Sequence, residues 1–244
     1  MKKGHKRIKK MTFVILFMFI LTAVFILGSR KKNINVADLE KRGCPKSLIE
    51  LAYRNSETIE FVNDFDKYER NPNSIDVSID VTEGGIPLFL QWDKRWGYEK
   101  YGDDFIAVTG CGPTCISMVY CGLTKNTDMN PYEVAKRAET EGFYVEGCGS
   151  SWNMMEVLPK ELGLEVHKVI FDKDHIKEEL NNGRPIICVL GPGDFTTTGH
   201  FIVLTGVDEN GEIILNDPNS IINSKKSWDI GQLMKQIKNL WSYS

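Results

Sequence analysis

Apolar residues change their spacing several times along this chain, and each change predicts a different element. From Met11 to Leu27 they are nearly continuous: MTFVILFMFILTAVFIL contains no charged residue and sits at the short end of what spans a bilayer. From 33 to 70 they recur at helical spacing, as Leu48, Leu51 and Ala52 in PKSLIELAYRN and Ile59, Val62 and Phe65 in SETIEFVNDFDKY, with Gly43, Pro45 and Ser56 as breaks and starts. Ile75, Val77, Ile79 and Val81 then alternate with polar residues, which predicts a strand buried on one face. Gly84-Gly85 ends it, and the extended segment IPLFLQW follows.

The rest of the chain carries clear helix starts. Asn130-Pro131 with Glu133 combines an N-cap, a proline at the first helical position and a capping-box acid before PYEVAKRAE. Ser150 or Ser151 precedes WNMMEVLPKELG, Asp172 precedes KDHIKEEL, and Ser227 precedes WDIGQLMKQIKNL. Between the last two helices come three β-rich runs, RPIICVL, GHFIVLTGV and EIILND, the latter two joined by DENG with its Asn210-Gly211 hairpin turn. Helices first and a mostly antiparallel sheet afterwards predict an α+β fold.

Charge adds a topology. MKKGHKRIKK places six Lys/Arg before the apolar run, and Arg30, Lys31 and Lys32 follow it, a bias that keeps the N-terminus in the cytoplasm. A cleaved signal peptide looks similar, but its apolar centre is usually shorter, and the basic residues directly after Gly28 and Ser29 disfavour cleavage. The expectation is an uncleaved anchor with the bulk of the chain outside the cytoplasm; the alternative is secretion after cleavage. Nine of the 30 Lys/Arg lie in residues 1–32, leaving 21 against 33 Asp/Glu, a net of −12 for the remainder. An acidic domain argues against a nucleic-acid partner, which is bound by neutralising phosphates. The chain divides into a basic tail (1–10), a transmembrane anchor (11–28), a helical extension and linker (29–84) and a main domain (85–244).

Six cysteines are too few in this length for a disulfide scaffold, although one bridge remains open. Cys188, inside IICVL, reads as a small core residue. GCGPTC at 110–115 is different. Its glycines permit a close backbone approach, and Pro113 suits a first helical position, so Cys111 falls just before or at a helix N-terminus. The free N–H groups and dipole there favour a thiolate. Cys115, one turn on, reads as packing. A zinc site would need two more ligands as a second close pair, and the chain has none; no metal or other cofactor is expected.

A thiol nucleophile needs a base. His5 lies in the basic tail, His175 among Lys and Glu on an amphipathic helix, and His167 on the exposed face of a strand. His200 opens a buried strand after the Gly/Thr-rich loop GPGDFTTTG, a setting suited to a site. The acceptor that orients such an imidazole would come from NDP at 216–218, across the hairpin, where Asn216 and Asp217 compete because only one can point inward. Gln91 offers a side-chain N–H that, with the backbone N–H of Cys111, could bind an oxyanion.

IPLFLQWDKRWG, GCGPTCISMV, GDFTTTGHFIVLTGV and IILNDP together resemble the papain-like cysteine peptidases. The closest resemblance is to bacterial domains related to the bacteriocin-leader peptidases, family 39 of the cysteine peptidases. The resemblance runs from Ile86 to the end and keeps the order Gln, Cys, His, Asp. It implies a helical half carrying the cysteine and an antiparallel sheet carrying the histidine and acid. It also implies Cys111 as nucleophile, His200 as base and later acid, Asp217 as orienting residue and Gln91 as oxyanion donor. The leader peptidases are fused to ABC transporters and cut double-glycine leaders on the cytoplasmic side. This chain carries no ATPase and should face outward, so their substrate does not carry over. The expected substrate is a peptide or protein, including cell-wall peptides; a binding module that has lost catalysis and an acyl transferase using the same thiol are the alternatives.

Overall fold

The computed structural model describes residues 34–68, 71 and 74–244. Residues 1–33, and with them the basic tail and the anchor expected from Met11 to Leu27, lie outside the described residues. Among the described residues no helix is long and apolar enough to cross a membrane. Val36–Ser244 forms one compact unit.

Three short elements open it: α1 (Val36–Lys41), α2 (Lys46–Arg54) and, after a 3-10 turn at Ser56–Thr58, α3 (Ile59–Asn63). These helices pack on the segment that follows instead of standing off from it. Phe61 stacks on Tyr98 at 4.1 Å between ring centroids, the Tyr98 hydroxyl donates to Phe61 O, and Lys94 pairs with Asp64 at 2.8 Å. The strand expected from Ile75 to Val81 does not form. Asp76 Oδ1 accepts from Ser78 N and the N–H groups of Asp80 and Val81 both reach Val77 O, which closes a turn; Val77 is buried and Ile79 is 86% exposed. Asp and Ser side chains that bond their own backbone convert an alternating pattern into a turn.

The hairpin of β1 (Lys100–Tyr101) and β2 (Asp104–Phe105) leads into α4 (Ile106–Thr109) and the long α5 (Cys111–Thr124). Then come α6 (Pro131–Thr140), the small pair β3 (Tyr144–Val145) and β4 (Gly149–Ser150), and α7 (Met154–Glu161). Asn130 caps α6 as expected, accepting from Tyr132 N and Glu133 N.

The second half is a five-stranded sheet in the order β5-β9-β6-β7-β8, antiparallel throughout. Its strands are β5 (Val166–Lys168), β6 (Ile186–Leu190), β7 (His200–Val207), β8 (Ile213–Asn216) and β9 (Ile237–Tyr243). The remaining helices are α8 (Lys173–Asn181), α9 (Ile221–Ser224) and α10 (Ile230–Met234). Both faces of the central strands are covered. Ile187, Val189, Phe201 and Val203 join a core with Cys115, Ile116 and Val119 of α5, while Ile186, Cys188, Ile202 and Leu204 join another with Ile176 and Leu180 of α8. Two covered faces explain why IICVL and FIVL are continuous apolar runs instead of alternating ones.

The helix expected over WDIGQLMKQIKNL is the main error of the sequence reading. Only Ile230–Met234 is helical, and Ile237–Tyr243 is a strand inserted between β5 and β6. Leu190 pairs with Ile237 but Val189 with Asn239, so Lys238 is an extra residue in the ladder. This bulge buries Ile237 and Leu240 three positions apart, a spacing that imitates a helix.

Candidate active site

Helix α5 starts at Cys111, with Gly110 as its cap and no capping side chain. The Cys111 N–H is therefore among the first-turn donors that have no acceptor within the helix. Pro113 is the third helical residue, not the first, but it is still in the turn where a missing N–H costs nothing. Gly112 is required by a close approach: a Cβ there would lie 2.6 Å from Ser150 Oγ and 2.9 Å from Ser150 Cβ. Ser150 itself is pinned by the Tyr101 hydroxyl at 2.8 Å. The start of the helix is thus wedged against β4, which directs the half-buried Cys111 toward β7.

His200 is the first residue of β7 and is buried. Its Nε2 lies 2.7 Å from Asp217 Oδ1, which leaves Nδ1 for the Cys111 thiol, the other group to which the imidazole is electrostatically coupled. Burial by itself would raise the thiol pKa. The hydrogen bond and charge of His200, helped by the N–H groups of Phe201 and Gly112, reverse this and hold it below its ordinary value. Burial would likewise discharge the imidazole, but the Asp217 carboxylate and the Cys111 thiolate keep its proton on, raising its pKa to about 10. Both shifts act in the direction of the thiolate–imidazolium pair. Cys115, fully buried one turn behind, has a pKa pushed well above the ordinary thiol value by burial and stays neutral.

Asp217 follows β8 directly and is 1% exposed. Despite burial its pKa is lowered, because it faces the His200 charge and its oxygens are fully engaged. Oδ1 also accepts from Asn219 N at 2.8 Å and Oδ2 from Asn223 Nδ2 at 2.8 Å. Asn216 turns the other way, its Nδ2 donating to Ile86 O and Pro87 O. Between the two competitors the structure puts Asp217, not Asn216, on the imidazole. Gln91 is buried, and its Nε2 donates to Ala107 O at 2.8 Å, tying it to the segment that leads into Cys111. That carbonyl fixes which end of the amide is the donor, and one N–H remains for the cleft. Its Oε1 has no hydrogen-bond partner among the described residues, a cost of about 1–3 kcal/mol of the kind that concentrates at functional sites.

These residues open into one cavity of about 410 Å³, lined by Cys111, His200, Gln91 and Asn219, by the 193–199 loop, and by Ser47, Leu51 and Arg54 of α2. The last three were missed by sequence reasoning, which found no chemistry in the helical extension. Nothing in their spacing marks them, because the contact is made across the fold. Asn219 and Asn223 were missed too; the cue was the polar run PNSIIN directly after Asp217. The other histidines are elsewhere. His167 bonds Ser244 Oγ on β5, His175 faces Glu178, and His5 lies outside the described residues. All six cysteines are free, so the bridge that the sequence left open is not formed. Among the described residues no group of three His, Cys, Asp or Glu side chains could hold a metal ion.

The model of the Peptidase_C39-like family matches residues 84–244. The chain belongs to this family. No curated protein matches it. The solved structures similar to it include two with low identity. One is the peptidase domain of Streptococcus ComA, a bi-functional ABC transporter involved in a quorum-sensing pathway, with 20% identity, 53% of this chain and 89% of that chain covered, and a TM-score of 0.38. The other is a putative C39-like peptidase from Bacillus anthracis, with 13% identity, 66% and 98% coverage, and a TM-score of 0.38. The family match begins just before Gln91 and contains all four candidate residues; α1, α2 and α3 precede it.

Proposed function

We propose that this Peptidase_C39-like protein is a cysteine peptidase in which Cys111 attacks the peptide carbonyl. The observation that carries the reading is the line Cys111, His200, Asp217, in which a thiol of lowered pKa meets an imidazole that is itself held by a buried carboxylate. The thiolate adds to the carbonyl carbon, and the oxygen, now negative, is met by the Cys111 N–H and the Gln91 amide. His200, already protonated, gives its proton to the leaving amine and an acyl-enzyme remains. Neutral His200 then takes a proton from water as that water attacks the thioester, which releases the acid and leaves the Cys111 thiolate beside a protonated His200. Asp217 holds the ring in position and stabilises its charged form without taking the proton.

The proposed setting is the outer face of a membrane, with Met11–Leu27 as anchor and peptides or cell-wall peptides as substrates. The basic residues before that segment and the acidic remainder support it. Protease added to intact cells is expected to remove the domain; full protection would return it to the cytoplasm.

The test of the chemistry is covalent labelling of residues 33–244 by a thiol-directed peptide electrophile near neutral pH. Labelling is expected for the unaltered chain and for Cys115→Ala, and is expected to vanish in Cys111→Ala and to fall steeply in His200→Ala. Labelling that survived Cys111→Ala and disappeared in Cys115→Ala would overturn the assignment. Labelling without any peptide hydrolysis would favour the binding or acyl-transfer alternatives.

A further inference from the structure

The Asp217 carboxylate is held by a short polar segment that is itself held from outside the family match. Asp217 N donates to Ser224 Oγ, Asn223 Nδ2 donates to Asp217 Oδ2, and Ser220 N returns to Asp217 O at 3.1 Å, so residues 217–224 close on themselves around α9. This helix has only four residues and none of its side chains is buried. Apolar packing therefore does little to fix it. Its hydrogen bonds to α2's C-terminal neighbours do: Glu57 Oε1 accepts from the Ser220 hydroxyl, and Glu57 Oε2 accepts from Ile221 N at 2.9 Å and Ile222 N at 3.2 Å. Asn55 Nδ2 adds a bond to Asn219 O, the same carbonyl that accepts from Trp92 Nε1.

We infer that Glu57, with Asn55 beside it, is a positioning residue for the Cys111–His200 pair, acting through Ser220, Asn223 and Asp217. A serine hydroxyl has one hydrogen. Because Ser220 gives it to Glu57, its lone pairs face the helix and accept from Asn223 N at 3.1 Å. That seats Asn223, whose amide then reaches Asp217 Oδ2. Glu57 thus sets the orientation of a hydroxyl, the hydroxyl sets the first turn of α9, and α9 sets the carboxylate opposite His200. An outer shell that locks the rotamers of the reacting groups is what a preorganised site requires. On this reading the helical extension is a working part of the site and not a spacer, although α2 and Glu57 precede the matched residues 84–244. The inference rests on the proposed thiolate–imidazolium pair, not on the identity of the substrate.

The experiment compares Glu57→Gln, Asn55→Ala and the unaltered chain by two readouts that need no substrate: the pH titration of the His200 ring by NMR and the rate of Cys111 alkylation by iodoacetamide against pH. The charged groups facing His200 are Asp217 and Cys111, so a loosened carboxylate must appear in the ring titration. In Glu57→Gln the ring is expected to lose its proton at lower pH than the value of about 10 in the intact site. Alkylation near neutral pH is expected to fall about ten-fold, the lower end of what losing an outer partner costs in metal sites. Asn55→Ala is expected to move both in the same direction by less, and it decides the matter if Glu57→Gln does not fold. Lower melting temperatures with unchanged titration and alkylation profiles in the folded variants would overturn the inference and leave Glu57 a structural tie. Failure of the peptide electrophile to label the unaltered chain would sink the peptidase reading instead, while the ring titration would still decide the role of Glu57.

Discussion

The two walls of the cleft are held in place by different forces. The helix wall, α5, is almost wholly buried: Gly112 to Gly122 all lie inside, and Cys115, Ile116, Met118 and Val119 pack against β6, β7 and α7. The acid wall, residues 217–224, buries Asp217 but no side chain of α9, and stays in place through hydrogen bonds among Asp217, Ser220, Asn223, Ser224 and Glu57. Dispersion and burial fix the position of a helix strongly but without regard to charge, whereas hydrogen bonds fix orientation and charge at little net gain in stability. Cys111 therefore sits on the rigid, apolar side, and Asp217 with the groups that hold it sits on the polar side.

The comparison predicts that the two walls break in different ways. Ile116→Ala, at a position with no exposure, should lower stability by about 2–5 kcal/mol while the labelling rate per folded molecule stays near that of the unaltered chain. A denaturant titration run beside the labelling assay checks this, and a variant of unchanged stability but lost reactivity would erase the contrast. Gln91→Ala should reduce peptide turnover by roughly 10²–10³-fold. It removes an unpaired buried oxygen but also the bond to Ala107 O, two opposing effects that should leave stability changed by less than turnover. If turnover is unaffected, Gln91 is not the oxyanion donor.

Asp217→Asn is the smallest of the three, about ten- to hundred-fold in rate, and the most informative about charge. His200 in the folded protein has a pKa raised above its ordinary 6.5 to about 10. Its protonated form therefore stabilises the fold fully below about 6.5, and that contribution is lost as the pH rises through about 10. The activity profile should rise with thiolate formation, below the ordinary thiol value of 9, and fall near 10, both limbs belonging to the coupled pair. Without the carboxylate the falling limb should move down toward 6.5 and narrow the window. A pH–rate profile that keeps its upper limb in Asp217→Asn would show that the carboxylate does not hold the imidazolium.

Much of this was legible because it is local. The Gly-Cys-Gly-Pro cluster marks a helix start whatever surrounds it, the Asn130 cap and the DENG turn form as local chemistry requires, and β6 and β7 read as buried from their unbroken apolar runs. The two misreadings share one cause. In 75–81 a side chain bonding its own backbone broke an alternating pattern, and in 237–240 a bulge turned a strand's spacing into a helix's. Periodicity measures burial along one straight element and is blind to a bond or an extra residue that bends it.

What the sequence by itself determined is the cast and its order: Gln91, Cys111, His200 and an acid after EIILN, on a helical part followed by an antiparallel sheet. That is possible because helix starts, turns and strand faces depend on near neighbours. Only the tertiary structure decided that Asp217 and not Asn216 meets the imidazole, that β9 is inserted between β5 and β6, that α2 lines the cleft, and that Glu57 holds α9. Those outcomes depend on contacts between residues more than 100 positions apart in the case of Glu57 and α9, and no pattern of neighbouring residues encodes which distant backbone will be there to accept a hydrogen bond.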